Sequence, residues 1–493
     1  MFISNSQITE NKELSDKTKN TPTTKIDTSL TERTINWYRA LYKNLHLIYL
    51  IIATPFALVM CFVVPPLSGA DEWAHFTRAV EISGGKIMGE QGENGGSSKI
   101  PSSVLTFLVH PSLSPSYFLS DSKIEIEKSS RNDLRSLEWT DNEVITSNPF
   151  VAYPATSYIP ASIALSVSKK AGLHLTSSFY LGRFFTAIVA LALAATTILL
   201  LERGKWLAFF FLSTPAVLYL FGSYAQDAML ISYVAIAIAL FGYWHRNEFS
   251  RKKSNIILIA SAVFFSAAIA ARPPYLPLAF LLPIYLIWFK KETRLGLITF
   301  AITISYPLIW ASMAASLVHH NQFPGIDEYA QTKFILAHPL KFISTLLNSS
   351  IQWQAVFGVL GSTSLPLPSY AYKLSILALV ALAINENFAH PNPLQANFRI
   401  LSAAAFMGCC FLMMTVSYIC WTPLESETSF PLLGRYLLPL ALLSILIPGL
   451  TITRIQKNLY WIPLSTSILS IAIIVLVNIT GALAVVHGYL FIR

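Results

Sequence analysis

Eleven apolar runs, each close to the length that a lipid bilayer demands of a helix, govern what this chain can fold into: 45–65, 181–201, 205–223, 227–244, 255–271, 275–289, 294–318, 372–386, 398–421, 433–452 and 459–488. A bilayer core takes about 20 apolar residues per helix, fewer where a helix is surrounded by others. Inside lipid, backbone polar groups are satisfied only in helices or closed barrels. The runs therefore predict an all-α, polytopic transmembrane bundle of eleven spans, or twelve if residues 151–168 also cross. Charged residues make up 12% of the 493 and hydrophobic ones 54%, against roughly 25% charged in soluble domains. That balance excludes disorder for the bulk of the chain, nucleic-acid binding and a disulfide-stapled scaffold. Cys61, Cys409, Cys410 and Cys420 lie in or beside apolar runs and read as buried thiols.

Residues 1–44 are polar, rich in Thr and Lys, and read as a disordered cytoplasmic tail. With that tail inside, the positive-inside rule orients the bundle. The inner loops then hold Arg203; Arg246, Arg251, Lys252 and Lys253; Lys290 and Lys291; and Arg454 and Lys457. A twelfth span at 151–168 would flip every later loop and put these clusters outside, so this run is read as a juxtamembrane helix at the outer face. The expected outer loops are 66–180 and 319–371.

Acidic residues are scarce among the spans. Beyond the tail and residues 66–150, those on the outer side are Asp227, Asp327, Glu328, Glu425 and Glu427. Any chemistry is therefore expected on the outer face. The stretch from Gly84 to Ser98 is flexible by composition. Before it, a Pro pair ends the first span, and Ser68 to Asp71 resembles a helix start. On that helix Asp71, His75 and Arg78 fall at i, i+4 and i+7, with Glu72 on the neighbouring stripe. This row is either a solvated face with local pairing or a site whose carboxylate takes a proton from an acceptor or binds a metal.

Other outer-face candidates are Tyr153, Arg183, Asp227, Arg272 with Tyr275, and Arg435 with Tyr436. Each has an ordinary alternative: interfacial aromatics, a snorkelling Arg, an N-capping Asp. Two arginines on the side holding the carboxylates favour a phosphate. His319 and His320 are adjacent and point apart on a helix, which disfavours metal ligation. The stretch 334–357 is amphipathic. No phosphate loop, zinc signature or Ser/His/Asp motif occurs.

The motif Asp71-Glu72-Trp73-Ala74-His75-Phe76 resembles a signature of the bacterial domain-of-unknown-function family 2142. Ala271-Arg272-Pro273-Pro274-Tyr275 and Gly434-Arg435-Tyr436-Leu437-Leu438-Pro439 are similar to later signatures of that family. The chain departs from it at Leu432-Leu433, where a Gln often precedes Gly-Arg-Tyr. The family in turn looks like the GT-C glycosyltransferases. That resemblance implies transfer of a sugar from a polyprenyl-phosphate donor to a glycan or lipid acceptor. By the same analogy Asp71 is the general base, Glu72 its neighbour or a ligand of a divalent cation (Mg or Mn), and Asp227 a second acid. His75, Arg78, Tyr153, Arg183, Arg272, Tyr275, Arg435 and Tyr436 would bind substrate, with Arg272 and Arg435 on the phosphate. The competing readings are a transporter or flippase of lipid-linked glycans and a non-catalytic membrane subunit.

Overall fold

The computed structural model describes residues 28–92, 95–110, 113, 133–246, 248–320, 325–360, 365–389, 396–446 and 461–491. The expected loop basic residues Arg454 and Lys457, the turn residues Gly361–Ser364 and the tail to residue 27 lie outside them. Seven described helices are long and apolar enough to cross a membrane: Leu45–Val63, Leu175–Leu200, Asp227–His245, Arg251–Ala271, Thr293–Leu317, Asn397–Trp421 and Trp461–Tyr489. The chain is thus a helical membrane protein.

Of the other apolar runs, 372–386 lies in one continuous helix, Ser369–Ala389, and three are interrupted for local reasons. The run 205–223 splits into helices Lys205–Leu212 and Pro215–Phe221, because Pro215 has no N–H to continue the ladder and Thr214 caps the new helix by accepting from Val217 N. The run 275–289 winds as successive 3-10, α and π turns over Pro273–Phe289, with Pro277 inside it. After Leu433 the chain makes a 3-10 turn (Gly434–Tyr436) and two further short turns rather than one helix.

Residues 28–43 form a helix, so the disordered tail expected over 1–44 fails there. Ile35, Tyr38 and Tyr42 recur at helical spacing, and the Tyr38 hydroxyl donates to Asn385 O at 3.0 Å. At this end of the bundle Glu386 accepts from Gly204 N (2.5 Å), Trp206 N (3.2 Å) and the Tyr42 hydroxyl (2.8 Å), capping the Lys205–Leu212 helix.

The long first loop has its own core of Phe76, Ile100, Val104, Phe107, Tyr158, Leu165 and Phe179. A three-stranded antiparallel sheet (β1 Glu90–Gly92, β2 Gly95–Pro101, β3 Glu143–Ser147) is built into it. The stretch from Gly84 to Ser98, read as flexible from its glycines, thus supplies two of the strands. Gly95, the first residue of β2, has a positive φ of 122°, which glycine adopts without a Cβ penalty. Residues 159–170 form a twelve-residue helix, about 18 Å long at 1.5 Å per residue and short of a span. It folds back on the Glu72–Ser83 helix, where the Ser162 hydroxyl donates to Ala79 O at 2.9 Å.

Candidate functional site

The Leu45–Val63 helix ends at a Pro pair, and the chain reaches Glu72 through two left-handed residues, Leu67 (φ 64°) and Asp71 (φ 52°). Asp tolerates that conformation better than most residues. Its carboxylate makes no capping bond to the helix it precedes and is instead taken by Arg435, Nη2 to Oδ2 at 2.8 Å. The Asp71 side chain remains 46% exposed.

Arg435 is delivered by a tight corner. Leu432–Leu433 pairs in parallel with Ile351–Gln352 from the second long loop. At Gly434 an added Cβ would lie 2.3 Å from Gln352 O, so only glycine lets the two backbones approach this closely. The Tyr275 hydroxyl holds the corner from behind, donating to Tyr436 O at 2.6 Å.

A second ion pair lies beside the first. Arg272 Nη2 meets Asp227 Oδ1 at 2.8 Å, with both side chains largely buried. The Tyr436 ring joins the two pairs: the Arg272 guanidinium sits 4.1 Å from its centroid and that of Arg435 5.2 Å. Among the described residues, Arg272 Nη1 and Arg435 Nε are buried donors with no hydrogen-bond partner. Arg435 also lines a small cleft whose walls are mainly apolar, including Ala70, Ala216, Leu220, Val359 and Leu433. Two neighbouring cations with spare donors, one of them on the wall of an apolar cleft, suit an anionic amphiphile.

His75 and Tyr153 lie near the two ion pairs. His75 Nδ1 is 2.7 Å from the Tyr158 hydroxyl, and its ring lies 4.6 Å from that of Phe150. Burial pushes its pKa down to about 4, against the upward pull of Asp71 and Asp227; the ring is neutral at pH 7. Burial, and then Tyr436, raise the Tyr153 hydroxyl above the usual tyrosine range.

Three of the expected site residues are fully occupied in holding the fold. Glu72 Oε1 accepts from Arg183 Nε (2.7 Å) and Tyr224 N (3.2 Å), and Oε2 from Arg183 Nη2 (2.5 Å) and Gly69 N (3.0 Å). Its acceptor capacity is full. Arg183 gives its remaining donors to Cys61 O, Val64 O and Pro65 O, the orphan carbonyls ending the first span. That places Arg183 as a buried clamp, not a snorkelling side chain. Arg78 pairs with Glu81 and donates to Ile87 O and Tyr153 O. The row Asp71–His75–Arg78 is therefore not mutually paired; its members face three different partners.

Sequence reasoning missed Gln352, Val359 and Leu433 as cleft walls, since only the parallel pairing of two distant segments brings them there. Gly434 carried the one local signal. Among the described residues no group of three His, Cys, Asp or Glu converges to hold a metal, and both site aspartates are neutralised by arginines. The donor set does not fit a resident Mg or Mn ion. Neither a curated protein nor a solved structure matches the chain. A family model described as "Predicted membrane protein (DUF2142)" matches residues 56–444, most of the chain, and the protein belongs to that family.

Proposed function

We propose that the protein is a GT-C-like glycosyltransferase that moves a sugar from a polyprenyl-phosphate donor to a cell-surface glycan or lipid acceptor at the outer face of a bacterial cytoplasmic membrane. The observation that carries this reading is the pair of arginines, each bound to an aspartate and each with a spare buried donor, with Arg435 on the wall of an apolar cleft. The isoprenoid chain lies along the cleft, and its phosphate takes Arg435 and Arg272. The acceptor hydroxyl loses its proton to Asp71 as its oxygen attacks the anomeric carbon. The bond from that carbon to the phosphate oxygen breaks, and the electron pair leaves with the phosphate. Guanidinium charge stabilises the leaving group, and a carboxylate within reach of the acceptor supplies general-base help. Asp227 orients Arg272, while Glu72, Arg78 and Arg183 hold the loop that presents Asp71.

The test is transfer by purified protein in liposomes supplied with polyprenyl-phosphate sugars. Asp71→Asn should fold normally and lose transfer. Transfer at the wild-type rate by that variant would remove Asp71 from the base role.

A further inference from the structure

Helices Glu328–Ala337 and Pro339–Asn348 form a hairpin outside the main core. It packs on the Ala396–Trp421 helix through Phe334, Phe342, Leu346 and Tyr418. Its open end is tied to the loop that follows Trp421. The Gln331 amide donates to Tyr418 O (3.2 Å), and the Gln331 side-chain carbonyl accepts from Glu425 N (3.3 Å). The Ser349 hydroxyl accepts from Ser429 N (2.8 Å). The closed end points the other way, down the spanning helix, where the Phe342 ring lies 6.3 Å from that of Phe411.

Phe411 lies about 15 Å below the last residue of its helix, Trp421, at a rise of ~1.5 Å per residue. The hydrocarbon core is about 30 Å thick, so the hairpin reaches well into one leaflet. One side of the hairpin shows Leu336 (78% exposed), Leu340 (85%) and Leu347 (81%), with Ile343 between them, while His338 at the reversal and Lys341 are exposed as well. In the second helix Leu340, Ile343 and Leu347 make one stripe beside the buried Phe342 and Leu346, and the exposed Lys341, Ser344 and Asn348 lie on another side. The exposed stripe continues the lipid-facing surface of the spanning helix at Met407 and Phe411. Two backbone bonds span the reversal, His338 N to Phe334 O at 2.8 Å and Phe342 N to His338 O at 3.0 Å.

We propose that this hairpin is re-entrant and inserts Leu336, Leu340, Ile343 and Leu347 among the acyl chains of the leaflet bordering the candidate site. Its exit runs directly into Ile351–Gln352, and Gln352 lines the cleft beside Arg435. The lipid-immersed hairpin and the cleft wall are one continuous segment.

The experiment places spin labels at Leu340→Cys, Leu347→Cys, Lys341→Cys and Asn348→Cys. Each variant has the four native cysteines changed to Ala and sits in phosphatidylcholine nanodiscs. Labels at 340 and 347 should be relaxed more by oxygen than by an aqueous nickel chelate, and those at 341 and 348 the reverse. Aqueous access at all four overturns the proposal, as does protection of 340 and 347 from both reagents, which would mark a protein interface. If the cysteine-free protein fails to fold, a benzophenone amino acid at position 340 of the native-cysteine chain replaces it. Photo-crosslinking to lipid is then expected, and its absence overturns the proposal. Neither readout needs turnover, so the outcome is separate from that of the transferase test.

Discussion

Asp71 and Arg435 stand 364 positions apart in the chain and 2.8 Å apart in space. The contact joins the end of the first span to a corner near the far end of the chain. It also occupies the carboxylate assigned the base role with the guanidinium assigned to the phosphate. A phosphate that takes the spare Arg435 Nε and displaces Asp71 from Nη2 would leave that carboxylate free for the acceptor.

Removing that pair should separate activity from stability. The Asp71 side chain is nearly half exposed, and exposed pairs are worth only about 0–1 kcal/mol. Asp71→Asn should melt within a degree or two of wild type, while transfer falls on the order of 10²-fold or more, the usual contribution of a general base. Parallel thermal melts and transfer rates check both halves.

The Glu72–Arg183 pair should behave in the opposite way. Both side chains are fully buried, and Glu72→Ala leaves a guanidinium sealed away from water. Breaking such a pair costs about 3–5 kcal/mol. The expected outcome is a large drop in melting temperature and in folded yield, read by size-exclusion chromatography in detergent.

Gly434→Ala tests the corner. Its Cβ would meet Gln352 O and the Ala355 Cβ, and the clash is relieved only by moving the Leu432–Leu433 strand. Overpacking of this kind costs roughly 1–3 kcal/mol. The shift also carries Arg435 away from Asp71, so transfer should fall further than the melting temperature alone explains. Wild-type transfer by this variant would show that the close approach is dispensable.

His75 sets a pH dependence. Its folded pKa of about 4 lies below the ordinary value of 6.5, so between those values the unfolded chain binds the extra proton. Stability from this group is therefore full above about pH 6.5 and declines as pH falls toward 4. Melting temperature against pH should show that decline in wild type and a shallower one in His75→Asn. An identical slope in both would exclude the buried imidazole as its source.

The sequence by itself determined that the chain is a helical membrane protein, because runs of apolar residues near the bilayer's thickness have few other ways to satisfy their backbones. It also pointed to Asp71, Asp227, Arg272 and Arg435, because ionic groups beside lipid are scarce and so stand out. Which of those groups share a site was decided only by tertiary structure. Glu72 and Asp71 are neighbours in sequence, yet one is saturated by Arg183 and the other faces Arg435. The left-handed turn at Asp71 and the glycine contact at Gly434 set those directions. Side-chain partners hundreds of residues away leave no periodic trace in a single chain. The same holds for the Gly-rich β1–β2 hairpin, where composition read as flexible became ordered by pairing with β3.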